Sequence, residues 1–221
     1  MKKIPRELLL HMASAVSAED RDEMAIPSYL HSNPAMRWIA WRRLDVVARF
    51  LDDLSRRQAL ETCVDFGCGT GVLFEELSRH AERVYGIDIV REPAEILVDE
   101  WNLDKVSILS PEAAQTEIAP GSVDAIVAAE VLEHIEPLDD TLGLFGSLLR
   151  PTGRLLVSLP TENRLYRLGR RLAGFHGHYH ESNAASIHQQ ILAAGFRQAR
   201  TARVPLPGPL AIYWVTEYAR A

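Results

Sequence analysis

Short apolar runs alternate with amphipathic segments of helical length from residue 61 onward, and this alternation constrains the fold more than any other feature. Five apolar runs predict strands at residues 62–66, 83–87, 106–109, 123–128 and 153–159. The stretches at residues 72–81, 92–101 and 138–149 have the length and periodicity of helices. Strands that alternate with helices in this way predict a parallel sheet with right-handed crossovers.

The C-terminal part departs from this alternation. A further helix is predicted at residues 184–194, and it is followed by two further segments, 196–204 and 211–218. These segments flank a proline-rich connection at residues 205–209. A terminal antiparallel hairpin that extends the parallel sheet fits this pattern best.

The N-terminal part predicts helices without strands. A short helix is expected at residues 5–16, a break at 17–23 and irregular structure at 24–32. Asn33 and Pro34 are typical of a helix start, and a long helix should run from there to residue 55. Its predicted buried stripe consists of Trp38, Trp41, Leu44, Val47 and Leu51. We expect residues 1–55 to form a helical extension, or lid, packed on a domain at residues 56–221.

Composition excludes several classes of protein. The chain has 221 residues, which favours a single domain, and 24 basic against 30 acidic residues give a net charge of −6. This charge disfavours a nucleic-acid partner. The two cysteines, Cys63 and Cys68, lie in one apolar segment and do not suggest a disulfide framework. Because no apolar run approaches a signal peptide or a membrane span, we expect a cytoplasmic protein with at most peripheral membrane contact.

A glycine-rich turn follows the first predicted strand directly. Asp65 precedes three alternating glycines, Gly67, Gly69 and Gly71, whereas a dinucleotide turn spaces its glycines G-x-G-x-x-G. An acid at this place repels a pyrophosphate but favours a ligand that carries an ammonium and a sulfonium. Asp88 ends the second strand, where a carboxylate can accept the hydroxyls of a ribose. The residues therefore favour an aminoacyl nucleoside, and they leave a dehydrogenase as an alternative.

Residues 64–71, 86–88 and 121–127 together resemble class I S-adenosylmethionine-dependent methyltransferases. The resemblance implies an α/β fold with a seven-stranded, mostly parallel Rossmann-like sheet, an antiparallel last strand and helices on both faces. It implies S-adenosylmethionine as cofactor, with the glycines at its methionine end and Asp88 at its ribose. Glu112, which departs from the usual Asp, would face the adenine. The implied cofactor residues are Asp65, Gly67, Gly69, Thr70, Gly71, Asp88, Ile89, Glu112, Ala113 and Ala129.

Glu133 and His134 follow the fourth strand at the same edge of the sheet and are the candidate catalytic residues. Imidazole titrates near neutrality, so His134 can act as general base toward an acceptor hydroxyl. The alternative is that both residues only fix the loop over the cofactor. Methyl transfer needs little covalent help, because in-line positioning supplies much of the barrier reduction.

A metal site is a further hypothesis. The order Glu130, Glu133, His134 and then His178 is similar to small-RNA 3′-terminal 2′-O-methyltransferases and to ubiquinone-pathway O-methyltransferases. That resemblance implies a divalent ion that polarises a hydroxyl, with these four residues as ligands. His180 stands where the RNA enzymes have an aromatic residue, so the match is partial.

The acceptor is the least determined part of the prediction. Arg164, Arg167, Arg170 and Arg171 could meet an anionic substrate or lipid headgroups, or could form a solvated face. The sequence favours O-methylation of a small or lipid-like acceptor. A metal-assisted RNA 2′-O-methyltransferase and a cofactor-binding subunit without catalysis remain alternatives. The acceptor's identity and the oligomeric state are not predicted.

Overall fold

The computed structural model describes residues 1–24, 26–161 and 184–221. The helices of these residues are α1 (Arg6–Ala15), α2 (Ala18–Glu23), α3 (Ile26–Leu30), α4 (Pro34–Ser55), α5 (Phe74–His80), α6 (Glu92–Trp101), α7 (Pro111–Glu117), α8 (Leu138–Leu148) and α9 (Ala184–Ala193). The strands are β1 (Leu60–Phe66), β2 (Ala81–Ile87), β3 (Val106–Leu109), β4 (Val123–Ala129), β5 (Leu149–Pro160), β6 (Phe196–Pro205) and β7 (Ala211–Arg220).

All seven strands form one sheet, in the order β3-β2-β1-β4-β5-β7-β6. The five strands from β1 to β5 pair in parallel, while β7 runs antiparallel to both β5 and β6. The strand order reverses between β1 and β4, and ligands bind at such a switch point in open α/β sheets. The predicted fold class and the terminal hairpin are therefore confirmed.

The central strands of the sheet are buried on both faces because helices cover each face, whereas the edge strand β6 is largely exposed. One core cluster joins the sheet to side chains of α1, α3, α4, α5 and α6, and a second joins the other face to α7, α8 and α9. Continuous apolar runs such as β4 suit this arrangement, since a strand covered on both faces has no solvent side. None of the helices in the described ranges combines the length and apolar character that a membrane crossing requires.

The long helix α4 begins as predicted and buries most of the predicted stripe. The Asn33 side chain accepts a hydrogen bond from the Ala35 amide at 2.9 Å, and Pro34 occupies the first helical position. The prediction was wrong for Trp38, which is 52% exposed. The steps from Trp38 to Asp45 and Arg49 place it on the outward face, opposite the buried residues.

The irregular segment predicted before α4 is also corrected. Helices α2 and α3 occupy most of residues 18–30. The Ser17 hydroxyl accepts the Asp20 amide at 3.1 Å and so caps α2, while α3 buries Ile26 and Tyr29. Such short helices depend on capping and burial more than on periodicity, which explains why the sequence pattern did not reveal them.

Two buried carboxylates tie the sheet together. Asp124 of β4 accepts the amides of Glu61 and Thr62 at 2.7 and 3.0 Å and pairs with Arg150 at 2.7 Å. The buried Glu217 of β7 pairs with Arg57 at 3.1 Å and with Arg200 at 2.6 Å. Because buried carboxylates need such partners, both groups are sensitive to truncation.

Candidate functional site

The glycine turn after β1 lies at the switch point of the sheet. Gly67, Gly69 and Gly71 all have positive φ, at 69°, 52° and 72°. A Cβ on Gly67 would lie 2.3 Å from Val131 Cγ2, so only glycine lets this turn contact the loop after β4. The structure therefore brings together the two segments that the sequence assigned to cofactor and chemistry.

The middle glycine faces the N-terminal part of the chain. A Cβ on Gly69 would lie 3.7 Å from Met24 Cγ, which is ordinary van der Waals contact. Met24 follows α2 directly, so this part of the chain reaches the glycine turn. Sequence reasoning assigned no role to Met24, because its position depends on short helices that were not anticipated.

Asp88 links the second strand to the glycine turn. Its carboxylate accepts the amide of Gly69 at 2.8 Å and the amide of Val90 at 3.0 Å. Burial raises the pKa of Asp88, although these backbone hydrogen bonds act in the opposite direction. Each carboxylate oxygen retains acceptor capacity, so Asp88 is able to take ribose hydroxyls as well. The neighbouring Ile89 is 77% exposed, and a large exposed apolar side chain beside Asp88 is suited to contact an adenine ring.

Asp65 is a buried acid beneath the same turn. Only 2% of the residue is exposed, and burial, together with the charge of Asp88, raises its pKa to about 7. The buried Asp65 and the half-buried Asp88, whose charges interact, favour a cationic ligand, because added positive charge relieves both the desolvation and the repulsion. Burial raises the pKa of Cys68 well above its usual range, so this thiol is no nucleophile.

The remaining predicted cofactor residues lie near the ends of β1, β3 and β4. Thr70 is buried in the glycine turn, and Ala129 is the half-buried last residue of β4. Glu112 and Ala113 belong to the first turn of α7, which the sequence reading had missed. Ser110 accepts the Ala113 amide at 3.2 Å, and Pro111 follows it, so the helix-start signal was present in the sequence.

The loop after β4 places the two candidate catalytic residues in different surroundings. Leu132 to His134 form a single 3-10 turn, which the His134 amide closes by donating to the Val131 carbonyl at 3.0 Å. Glu133 is buried and His134 is exposed. An exposed imidazole is accessible to an acceptor molecule, whereas a buried carboxylate is suited to supporting the loop. Both catalytic roles stay predictions.

Glu130 opens this loop in an unusual conformation. Its φ of 59° lies in the left-handed region, and its carboxylate pairs with the buried guanidinium of Arg43 on α4. Sequence reasoning missed Arg43, although its spacing of three residues from Ala40 and four from Val47 places it on the buried face. The helical periodicity alone did not show that Arg43, rather than the neighbouring Arg42, would be the buried arginine.

The predicted metal set is only partly within the described residues. His178 and His180 lie outside them, as do the four arginines at positions 164, 167, 170 and 171. Within residues 1–24, 26–161 and 184–221, no group of three His, Cys, Asp or Glu side chains is arranged to hold a metal ion. Because Glu130 already faces a fixed cation, these residues do not fit a metal readily, and the metal site stays a prediction.

Comparison with known proteins identifies the family. A profile of the family described as "Methyltransferase domain" matches residues 38–200, which is well over half of the chain. The ubiquinone biosynthesis O-methyltransferase of Cupriavidus pinatubonensis is 34% identical over 104 residues, which cover 45% of this chain and 41% of that protein. The enzyme of the same name from Rhodopseudomonas palustris is 32% identical over 158 residues, covering 68% of this chain and 60% of that protein. The chain thus spans well under two thirds of the first of these relatives.

Solved structures share the fold at lower sequence identity. Magnesium protoporphyrin IX methyltransferase from Synechocystis PCC 6803, solved with bound SAM, superposes with a TM-score of 0.66 at 21% identity and covers 100% of both chains. The methyltransferase domain of bacterial CtHen1-CN has a TM-score of 0.64 at 18% identity and covers 82% of this chain and 99% of its own. With its sheet order, its glycine turn and its profile match, the chain belongs to the methyltransferase domain family.

Proposed function

We propose that the protein binds S-adenosylmethionine at the glycine turn and transfers the methyl group to an oxygen of a small or lipid-like acceptor. The observation that carries this proposal is the hydrogen bond of 2.8 Å between the Gly69 amide and Asp88, which joins the turn and the expected ribose ligand into one unit. The SAM-bound Synechocystis structure, which shares the fold, supports the choice of nucleoside.

The residues of the turn divide the binding task among them. When bound, S-adenosylmethionine would supply the methyl group from its sulfonium, and the sulfur would remain on the leaving group as a neutral thioether. Asp65 offers a buried negative charge to the ammonium end, and Asp88 accepts the ribose hydroxyls. Ile89 gives the adenine an apolar surface. Glu112 and Ala113, in the first turn of α7 after β3, are the candidates to contact the adenine amino group. The chain's contribution to the rate is therefore mainly orientation.

His134 is the proposed base toward the acceptor. The proton must leave the acceptor oxygen as the methyl group arrives, and the exposed imidazole of His134, in the loop after β4, is our candidate to take it. A phenol, with a pKa of about 10, is far easier for an imidazole to deprotonate than an aliphatic alcohol. The buried Glu133 supports the turn that carries His134. We infer a phenolic oxygen as the preferred acceptor.

Apolar side chains at the same edge of the sheet support a lipid-like substituent on that phenol. The β6–β7 connection leads into the start of β7, where Tyr213 pairs with Pro160 at the carboxyl end of β5. Leu206 and Leu210 of this connection are 54% and 48% exposed. Large exposed apolar side chains at the mouth of a site favour an acceptor with an apolar part.

Methyl transfer itself tests this proposal. The protein is incubated with S-adenosylmethionine labelled in its methyl group and with catechol, an alkyl-substituted catechol, aniline or a short RNA. We expect label on the two phenols, with a lower KM for the alkylated one, and none on aniline or RNA. Label on RNA alone would favour the alternative function of an RNA 2′-O-methyltransferase. Binding of S-adenosylhomocysteine without transfer to any of these acceptors would favour a non-catalytic subunit.

The pKa of Asp65 predicts how nucleoside binding depends on pH. Because that pKa is about 7 in the folded protein, a ligand that places its ammonium group beside Asp65 must displace a proton below pH 7. Affinity for S-adenosylhomocysteine should therefore rise roughly tenfold per pH unit up to about pH 7 and then level off. The raised pKa has the opposite effect on the free protein, because the contribution of Asp65 to the free energy of unfolding should fall as the pH rises from 3.8 to about 7.

Calorimetry between pH 5.5 and 8.5 measures this dependence. Asp65→Asn is the matched control, because the amide fills the same space but does not titrate. It should bind weakly at every pH. A wild-type affinity that stays constant over the series would show that Asp65 does not face the charged end of the ligand.

A further inference from the structure

A buried cationic cluster joins the N-terminal helices to the loop that carries His134. Its centre is Arg43 of α4, which is only 2% exposed. The guanidinium pairs with Glu130, and one of its nitrogens donates to the Tyr29 hydroxyl at 3.2 Å. Its carbon lies 5.6 Å from the ring centroid of Tyr29 and 5.3 Å from that of Tyr213. Residues from α3, α4, β7 and the loop after β4 therefore surround one positive charge.

The cluster acts on a backbone that needs support. Glu130 is one of two residues other than glycine with positive φ in the described part of the chain. Such a conformation persists only where the surroundings over-determine it. On the main-chain side, the Glu130 amide donates to the Ser158 carbonyl at 2.9 Å, and on the side-chain side Arg43 holds the carboxylate. Residues 131–134 follow at once, so the direction in which His134 leaves the sheet depends on Glu130.

The charges of the cluster explain why an arginine is needed. Burial lowers the pKa of Arg43, but the charge of Glu130 and the two tyrosines raise it by more, so the guanidinium stays charged. Its planar fork can serve Glu130, Tyr29 and the Ala40 carbonyl at the same time. An ammonium group keeps the charge but lacks this fork, and an apolar side chain leaves the half-buried Glu130 carboxylate without its cation.

We propose that Arg43 is a positioning residue, which holds Glu130 and thereby sets the loop of residues 130–134 for methyl transfer. The proposal rests on the proposed function, since it assigns His134 to the reacting side of the site. It makes the N-terminal helices part of the catalytic apparatus, because Arg43 and Tyr29 both belong to them. Arg43 itself touches neither nucleoside nor acceptor in this account.

The test compares three variants of α4 with the wild type. Arg43→Met removes the charge at similar length, Arg43→Lys keeps it, and Arg49→Met is the matched control on the exposed face of the same helix. For Arg43→Met we expect kcat with catechol to fall about a hundredfold, as misplaced catalytic groups do, while the Kd for S-adenosylhomocysteine changes far less. Arg43→Lys should recover part of kcat, and Arg49→Met should match the wild type.

Amide hydrogen exchange reports the loop without any need for turnover. Loss of Arg43 should speed exchange of the Glu130 and His134 amides, whose acceptors are Ser158 and Val131, and leave the Gly67 amide protected at Ile87. Should Arg43→Met not fold, the exchange rates and kcat of Arg43→Lys and Glu130→Gln are compared with those of the wild type instead. The double variant Arg43→Met/Glu130→Gln should be no worse in kcat than the more damaging single one.

Two results would overturn the proposal for Arg43, and a third would contradict the proposed methyltransferase function on which it rests. Unchanged exchange at residues 130 and 134 in Arg43→Met, or equal proportional losses of kcat and nucleoside affinity, would show that Arg43 does not position the loop. A wild-type protein that binds no S-adenosylhomocysteine would instead contradict the proposed function, and the exchange measurement would still decide whether Arg43 orders the loop.

Discussion

Replacing His134 by glutamine is expected to lower kcat for methyl transfer to a phenol by about a hundredfold to ten-thousandfold, the usual contribution of a general base. The amide side chain keeps most of the volume and hydrogen-bonding capacity of imidazole but does not accept the acceptor's proton. The His134 main chain, whose amide closes the turn at Val131, is unaffected. Affinity for S-adenosylhomocysteine should therefore stay close to that of the wild type.

His11→Gln is the matched control, because His11 is an exposed histidine on α1. Initial rates at saturating nucleoside and phenol, measured beside calorimetric affinities, separate the two roles considered for His134. A loss of kcat with unchanged nucleoside affinity supports the base. Wild-type kcat in His134→Gln would exclude a proton-transfer role and leave His134 as part of the loop's structure only.

Replacing Asp124 by alanine is expected to destabilise the protein by about 3–5 kcal/mol, the usual cost of removing one partner of a buried ion pair. Asp124 is 1% exposed, and its loss leaves the buried Thr62 amide without its acceptor and Arg150 without its nearest carboxylate. These contacts join the start of β1 to β4, the two strands that frame the glycine turn. For a chain of this size the loss corresponds to a fall in Tm of roughly 10 °C.

Glu61→Ala provides the comparison for this experiment. The Glu61 side chain is 75% exposed and lies 3.8 Å from the same Arg150, so it offers a similar charge without burial. Exposed pairs contribute little, and its Tm should stay near that of the wild type. Thermal unfolding of both variants followed by circular dichroism decides the matter. Equal Tm values for the two variants would mean that the buried contacts of Asp124 do not stabilise the sheet.

The parts of the fold that sequence predicted best are those governed by continuous apolar runs. All seven strands were predicted near their observed positions. The central strands are covered on both faces and consist largely of apolar residues, whereas the edge strand β6 is largely polar and was predicted from its place in the terminal hairpin. The main exception was β5, which starts at Leu149 rather than at residue 153. Leu149 pairs with Val123, and the register then shifts before Arg154 pairs with Ala125, an irregularity that no local pattern reveals.

Long-range side-chain contacts could not be predicted in the same way. The glycine turn and Asp88 were recognised because backbone conformation and chain position require those residue types. The pairing of Arg43 with Glu130 joins residues that are far apart in sequence, and it depends on how α4 crosses the sheet. The approach of Met24 to Gly69 likewise depends on two short helices that only capping and burial stabilise. These contacts place the N-terminal helices at the site.

Calorimetric titration of the wild-type protein with S-adenosylhomocysteine, and separately with NAD, tests the central claim that this turn receives a cationic sulfur nucleoside or its product. We predict one S-adenosylhomocysteine bound per chain, no heat from NAD, and a large loss of affinity in Asp88→Ala. Heat from NAD alone, or binding of S-adenosylhomocysteine that Asp88→Ala leaves unchanged, would contradict the account.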